Sequence, residues 1–206
     1  MKNLEIECKF DANTPRAFAR ASRAVAALAE VQQTQLLHLQ DTYLDHSNRD
    51  LAAQKIALRL RNSDGKWEAT YKTRTEIKRG KAVRSEENLA LPQARTFEQA
   101  LKILAHKKLW NKLDVTHLIV QFSIHNKRRI YLLKYDGALL EVALDNVTIY
   151  VAGRRLCFKE IEIELKRGMV EALDKFAHAF SACTQLEYAT ISKVKTAEIL
   201  LGLWKK

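Results

Sequence analysis

Apolar and polar residues alternate with a period of two along several short segments of the chain. The first is LEIECKF at residues 4–10, where Leu, Ile, Cys and Phe alternate with Glu, Glu and Lys. Successive side chains of a strand point to opposite faces, so this segment predicts a strand with one apolar and one charged face. Similar alternation recurs at 56–61, 66–73, 82–91, 118–125, 128–135, 138–150 and 156–168. These segments predict about eight strands.

Turn and helix signals complete the pattern. Asp64-Gly65 and Asp136-Gly137 each separate two predicted strands and favour tight hairpins. Helical periodicity appears at 14–30, 97–109, 169–183 and 192–204, and Thr14 and Pro15 suit an N-cap and a first helical position. Short hairpins between most strands predict an α+β fold: an eight-stranded antiparallel barrel with helices packed outside, spanning 1–206 as one domain.

Charge and composition narrow the functional classes. The chain has 206 residues, a formal charge of +11 and a pI near 9.6, which favours an anionic partner. Its apolar runs are far too short to span a membrane, so we expect no membrane partner. Three cysteines without a close pair argue against a disulfide framework and for a cytoplasmic location. A monomer and a homodimer both remain open.

The polar faces of the predicted strands carry acids and bases in separate groups. Glu160, Glu162 and Glu164 share one face, and Arg59 and Arg61 share another. A solvated outer surface is the ordinary explanation for any one of these faces. Like charges two residues apart repel, however, so the acids require a cation and the bases an anion. In a barrel that turns these faces inward, carboxylates suit Mg²⁺ or Mn²⁺ and basic side chains suit phosphates.

An ordered set of motifs resembles one known family. Glu5-Ile6-Glu7-Cys8-Lys9 has the ExExK form that opens CYTH domains, also called triphosphate tunnel metalloenzymes. Similar family segments follow in order: QDTYLD at 40–45, LRLR, ATYK, RSEEN at 84–88, KRRIY, EVALD, EIEIE and the Ser192-Lys193 pair. The RSEEN form resembles the bacterial inorganic triphosphatase branch. The resemblance spans residues 4–193 and implies an eight-stranded tunnel that hydrolyses triphosphates with Mg²⁺ or Mn²⁺.

The resemblance also implies residue roles. Metal ligation is implied for Glu5, Glu7, Glu162 and Glu164. Substrate binding is implied for Lys9, Arg59, Arg61, Lys72, Arg84, Arg128 and Lys193. A catalytic role is implied for Lys9, Glu86 and Asp145, of which the two carboxylates would hold a second metal or orient the attacking water. The sequence does not decide whether Arg128 or Arg129 faces the tunnel.

Three other functions compete with inorganic triphosphate hydrolysis. The same tunnel could act on thiamine or nucleoside triphosphates or cyclise ATP. A non-catalytic polyphosphate-binding module is a second alternative, although anion binding alone needs no set of metal-ligating carboxylates. The third is nucleic-acid binding through basic runs at 79–81, 107–108 and 127–129. We expect no nucleic-acid partner, because acids interleave with the bases on the same strand faces.

Overall fold

The computed structural model describes residues 3–73, 81–106 and 113–204. The strands within them are β1 (Asn3–Asp11), β2 (Glu30–Asp45), β3 (Ile56–Ser63), β4 (Lys66–Thr73), β5 (Lys81–Ala90), β6 (Ile119–Tyr135), β7 (Ala138–Val151) and β8 (Arg154–Arg167). The helices are α1 (Ala17–Leu28), α2 (Asp50–Ala53), α3 (Phe97–His106), α4 (Val170–Thr184) and α5 (Lys193–Trp204).

The strands close into a barrel in the order β1-β5-β4-β3-β2-β6-β7-β8. Every neighbouring pair is antiparallel. Closure leaves no free sheet edge and gives each strand an inner and an outer face. The predicted α+β barrel is therefore confirmed.

The predicted hairpins are present. Asp64 and Gly65 have φ of 49° and 83°, and Asp136 and Gly137 have φ of 47° and 74°. Two successive residues with positive φ form the turn whose twist matches paired antiparallel strands. These turns place β3 beside β4 and β6 beside β7, as the sequence predicts.

Two strand predictions were wrong, although the total of eight is right. The segments 118–125 and 128–135 form one strand, β6, that continues through the polar Asn126-Lys127 step. The 16-residue strand β2 was not predicted as a strand, because its QQTQLLHLQ segment shows no clear apolar alternation. β2 has polar side chains on the inside as well as the outside, which removes the hydrophobic period of two. In β6 the alternation is present on both sides of Asn126-Lys127 and is interrupted only at that step.

The predicted helices are present with altered ends. α1 begins at Ala17, after a left-handed Arg16, and the hydroxyl of Thr14 accepts a hydrogen bond from Arg20 at 2.9 Å instead of capping the helix. α3 ends at His106, and the rest of the predicted 97–109 helix lies outside the described residues. α4 and α5 match the two predicted C-terminal helices closely. Within the described residues, no helix is long and apolar enough to cross a membrane.

The hydrophobic core lies between the barrel wall and the helices. Outward side chains of β1, β7 and β8 pack against α1 and α4, with Phe10, Phe176 and Phe180 fully buried among them. Outward side chains of β3 pack against α2 and α3 around Leu58 and Leu104. Because these apolar faces point outward to the helices, the opposite, charged faces point into the barrel.

The last helix closes part of one barrel end. Ala197 and Leu201 of α5 pack against the inward side chains of Phe122, Ile124 and Ile149. The hydroxyl of Ser192 accepts a hydrogen bond from the backbone amide of Lys195 at 3.1 Å, as an N-cap does. This arrangement places Lys193, the first residue of α5, at the barrel interior.

Candidate active site in the barrel lumen

A cavity of about 360 Å³ occupies the barrel lumen. Eleven of the thirteen predicted site residues line it: Glu5, Lys9, Arg59, Arg61, Lys72, Arg84, Glu86, Arg128, Glu162, Glu164 and Lys193. The other two, Glu7 and Asp145, are buried directly behind it. Glu7 contacts Arg84 at 2.6 Å and Asp145 contacts Lys193 at 2.9 Å. The structure therefore brings all thirteen residues together.

The pairing register explains how the acids meet. Glu164 of β8 is the partner of Glu7 on β1 and of Glu141 on β7. Directly paired residues of neighbouring strands lie on the same face, so these three carboxylates form one row across the lumen wall. Two residues along, Lys9 is paired with Glu162, which brings an ammonium group beside the next acid.

On the β1–β5 side, Glu5 is held by two basic side chains. Arg84 donates to both Glu5 oxygens, at 2.6 Å and 3.1 Å, and Lys72 donates at 3.2 Å. Burial alone would raise the pKa of the Glu5 carboxyl, but Lys72 and Arg84 hold it well below its usual range. Lys72 also forms an ion pair with Glu86, which accepts a hydrogen bond from Asn88 at 2.8 Å.

On the β2–β3 side, Asp41 holds two arginines. It accepts from Arg61 at 2.6 Å and 2.7 Å and from Arg59 at 3.4 Å. Burial would raise the pKa of the Asp41 carboxyl, but Arg59 and Arg61 lower it to about 2. Asp41 was assigned no role from the sequence, although it lies in the QDTYLD segment at 40–45 that resembles the family. Arg59 Nε has no hydrogen-bond partner among the described atoms and is a donor available to an anion.

Near the start of α5, three acids and three bases form one buried cluster. Its members are Lys9, Arg128, Asp145, Glu160, Glu162 and Lys193. The carboxylates come within 4.8 Å of one another and could hold a metal ion. In this structure, however, ammonium and guanidinium groups already contact them, including Lys193 to Glu162 at 2.8 Å. Burial and the Glu162 carboxylate raise the pKa of Glu160 to about 7 despite Lys193 and Lys9.

Among the described residues, Glu164 has a single ion-pair partner. Lys166 pairs with Glu164 at 2.9 Å and is itself substantially exposed. Burial, together with Glu5 and Glu141, raises the pKa of the Glu164 carboxyl to about 7 against the effect of Lys166. Glu141, which lies outside the ligand set predicted from the sequence, is paired in register with Glu164 and also lines the lumen. Two neighbouring carboxylates with this little compensation suit a hard divalent cation, which prefers oxygen ligands.

The structure separates Arg128 from Arg129. Arg128 points into the lumen and donates two hydrogen bonds to Asp145, at 2.7 Å and 2.6 Å. Arg129 is exposed on the outer face, as is Lys127. The basic run at 127–129 is therefore divided between the two faces of β6. Of the predicted basic run at 79–81, Lys81 begins β5 and pairs with Asp174 at 2.5 Å, while residues 79–80 and the pair at 107–108 lie outside the described residues.

The CYTH domain family matches residues 3–197 of this chain. The chain is also similar to an inorganic triphosphatase of Haemophilus influenzae, with 30% identity over 170 residues. That match covers 82% of this chain and 48% of the relative, so the chain spans about half the length of this curated relative.

Solved structures share the fold. The Hippeastrum protein HpAC1, described as having a dominant triphosphatase activity, superposes with a TM-score of 0.72 at 21% identity, covering 95% of both chains. The triphosphatase of the Mimivirus capping enzyme superposes with a TM-score of 0.58 at 12% identity, covering 89% of this chain and 90% of its own. These structures share the fold, and the match of the CYTH model over residues 3–197 shows that the chain belongs to the CYTH domain family.

Proposed function

We propose that this protein is a metal-dependent triphosphatase whose substrate is inorganic triphosphate, which it cleaves to pyrophosphate and orthophosphate. The observation that carries the proposal is the composition of one cavity, where eight cationic side chains and seven carboxylates line the same lumen. A triphosphate with a bound metal satisfies both sets, because the phosphates neutralise the cations while the metal takes the acids. The similar Haemophilus inorganic triphosphatase supports this substrate.

The basic side chains form the proposed phosphate cradle. Arg59, Arg61, Arg84 and Arg128 offer planar donor pairs that match phosphate oxygens, and Lys72 and Lys193 add point charges. Lys9 is fully buried between Glu7 and Glu162, and in our proposal it supplies positive charge at the base of the site. Such fixed charges stabilise the negative charge that builds on phosphoryl oxygens during transfer.

The carboxylates fit Mg²⁺ or Mn²⁺. The proposed ligand set is Glu5, Glu7, Glu162 and Glu164, and Glu141 adjoins it through its register with Glu164. The raised pKa of Glu164 supports this fit, because the group lacks a sufficient cation of its own. When bound, the metal would supply Lewis-acid polarisation of phosphoryl oxygens and neutralise part of their charge.

Hydrolysis then requires a water aligned with a terminal phosphorus. The water oxygen forms a new bond to phosphorus, the bond to the bridging oxygen breaks, pyrophosphate leaves and a proton passes to solvent. In our proposal Glu86 orients this water from the lumen wall. Asp145 is fully buried and bound to both Arg128 and Lys193, so we propose that it positions those two cations.

Phosphate release tests the proposal. The full chain should release orthophosphate from inorganic triphosphate with Mg²⁺ or Mn²⁺ and not with excess chelator. Parallel assays with thiamine triphosphate and ATP, including a search for cyclic AMP, rank the alternative substrates. Tight triphosphate binding without phosphate release under every metal condition would overturn the proposed hydrolase activity and support a polyphosphate-binding module.

The proposed location is the cytoplasm. The free thiols of Cys8, Cys157 and Cys183 support a reducing, cytoplasmic setting.

A further inference from the structure

A line of hydrogen bonds, which we call the relay, runs across the inner face of the barrel through Arg59, Thr70, Asn88 and Glu86. Arg59 on β3 is paired in register with Thr70 on β4, and Thr70 is paired in turn with Asn88 on β5. Directly paired residues of neighbouring strands lie on one face, so these three side chains form a row. Glu86 lies two residues from Asn88, on the same face of β5. The relay therefore joins a cation of the proposed phosphate cradle to the carboxylate that we propose orients the water.

The chemistry of its two ends fixes the direction of every hydrogen bond in the relay. The guanidinium of Arg59 can only donate, so the Thr70 hydroxyl accepts this bond at 2.9 Å. The single hydroxyl proton of Thr70 then goes to Asn88 Oδ1 at 2.8 Å, since Glu68 Oε1 is farther away at 3.4 Å. Asn88 donates from its amide nitrogen to Glu86 Oε1 at 2.8 Å. All the donors therefore point from Arg59 towards Glu86, and aligned hydrogen bonds of this kind polarise one another.

Thr70 is fully buried and does not line the lumen cavity. The other three residues of the relay all line it. Water therefore cannot replace the Thr70 hydroxyl, and without that hydroxyl Arg59 Nη2 and Asn88 Oδ1 would both lose a partner. Arg59 would keep its contact with Asp41 at 3.4 Å. Loss of this one hydroxyl thus removes the connection and leaves the charges at its two ends in place.

We infer that Thr70 is a positioning residue whose hydroxyl couples Glu86 to phosphate bound at Arg59. The inference rests on the proposed function, in which Arg59 holds a phosphate and Glu86 orients the attacking water. Arg59 Nε has no hydrogen-bond partner among the described atoms, so a phosphate can bind there without breaking the bond to Thr70. The phosphate and the water are then held from the two ends of one hydrogen-bonded connection. Alignment of the water with phosphorus acts on kcat rather than on substrate affinity.

Replacement of Thr70 by valine tests the inference, because valine keeps the branched shape of the side chain and removes only the hydroxyl. Thr70→Ser keeps a hydroxyl at the same place. The matched control is Thr184→Val, because Thr184 is also fully buried, donates to the Phe180 carbonyl at 2.7 Å on α4 and does not line the lumen cavity. Hydrolysis of inorganic triphosphate at saturating Mg²⁺ gives kcat and KM for each variant, and thermal unfolding gives its stability.

The expected result is a loss of kcat. Thr70→Val should lower kcat at least about tenfold and change KM less than about threefold. Thr70→Ser should keep kcat within about threefold of the wild type, and Thr184→Val should lower stability without lowering kcat. In a Glu86→Gln background, Thr70→Val should change kcat less than about twofold, since Thr70 acts through Glu86. An unchanged kcat in Thr70→Val, a loss confined to KM, a serine variant as slow as the valine variant, or equal losses in both backgrounds would overturn the inference.

A measurement that needs no turnover separates the relay from the proposed function. The side-chain amide of Asn88 gives its own NMR signals in ¹⁵N-labelled protein, and Mg²⁺ with imidotriphosphate should shift them in the wild type and in Thr184→Val. In Thr70→Val this shift should fall by at least about half, because Arg59 is no longer connected to Asn88. That loss in a chain that hydrolyses no triphosphate would refute the proposed function and leave the coupling supported. A shift that is absent from the wild type, or equally large in Thr70→Val, would overturn the inference.

Discussion

Arg84 and Glu5 face each other in register on β5 and β1, and Arg84 donates to both Glu5 oxygens, at 2.6 Å and 3.1 Å. This pair joins a proposed phosphate ligand to a proposed metal ligand. Lys193 and Glu162 likewise pair a proposed phosphate ligand with a proposed metal ligand. Without ligand, the acids and bases of the lumen therefore neutralise one another, and loading the site requires an exchange of partners.

This exchange predicts that metal and triphosphate bind cooperatively. A metal alone must take carboxylates from Arg84 and Lys72, and a triphosphate alone must take those cations from Glu5. We expect Mn²⁺ alone and imidotriphosphate alone each to raise the melting temperature slightly, and both together to raise it by more than the sum. Strictly additive shifts at saturating concentrations would contradict the exchange.

Glu7→Gln should remove metal-dependent hydrolysis and preserve the fold. The substitution keeps the size of the side chain but removes the charge that we assign to the metal. We expect the rate of phosphate release to fall at least a hundredfold, with a circular dichroism spectrum like that of the wild type. Glu171→Gln, at an exposed position on α4, is the matched control and should retain wild-type turnover. Unchanged turnover in Glu7→Gln would end the ligand assignment.

Arg128 and Arg129 form a natural pair for mutagenesis, because they are adjacent on β6 and face opposite ways. Arg128→Ala should lower kcat/KM for triphosphate by at least about a hundredfold, since a charge-assisted donor pair is lost from the lumen. Arg129→Ala should stay within twofold of the wild type. Arg128→Lys keeps the charge but not the planar fork, so its activity should lie between these two. Equal losses of kcat/KM in the two alanine variants would refute the assignment of Arg128 to the phosphate cradle.

The acid limb of the pH profile should depend on metal concentration. The pKa of Glu164 is raised to about 7, so its carboxyl gains a proton below that pH and cannot then bind a cation. At limiting Mg²⁺ we expect kcat/KM to fall as pH drops through about 7. Added Mg²⁺ competes with the proton and should move this limb to lower pH. A limb that does not move with metal concentration would show that protonation at another group controls the activity.

Asp41→Asn should destabilise the fold at neutral pH. Its loss leaves the buried Arg59 without its carboxylate partner, and breaking a buried ion pair costs on the order of 3–5 kcal/mol. The folded pKa of Asp41 is about 2, below its ordinary value, so the stabilisation is present at neutral pH and is lost as pH falls towards 2. Urea unfolding of both proteins at several pH values measures this.

We expect the stability difference between wild type and Asp41→Asn to narrow by about 2 kcal/mol between neutral pH and pH 2, from the size of the pKa shift. Asp64→Asn, in the exposed turn between β3 and β4, provides a control that should change stability little. A gap that is constant with pH would show that the charge of Asp41 does not stabilise the fold.

The sequence predicted strands well where one face is apolar and the other charged. β1, β3 and β8 show this clearly, because helices cover their outer faces and the lumen receives the polar side chains. The same logic failed for β2, where Leu36 is exposed on the outer face and Leu37 and Leu39 point inward beside Asp41. A strand with polar and apolar residues on both faces carries no period of two, so only its pairing partners reveal it.

By itself, the sequence determined which charged residues share a strand face, because a strand places every second side chain on the same side. It therefore indicated a charged lumen and most of the residues that line it. Only the tertiary structure decided which acid meets which base, since that depends on the register of strands far apart in sequence. It also decided that Arg128 rather than Arg129 enters the lumen and that Asp41 holds two arginines. These relationships arise from barrel closure and helix packing, which no local pattern encodes.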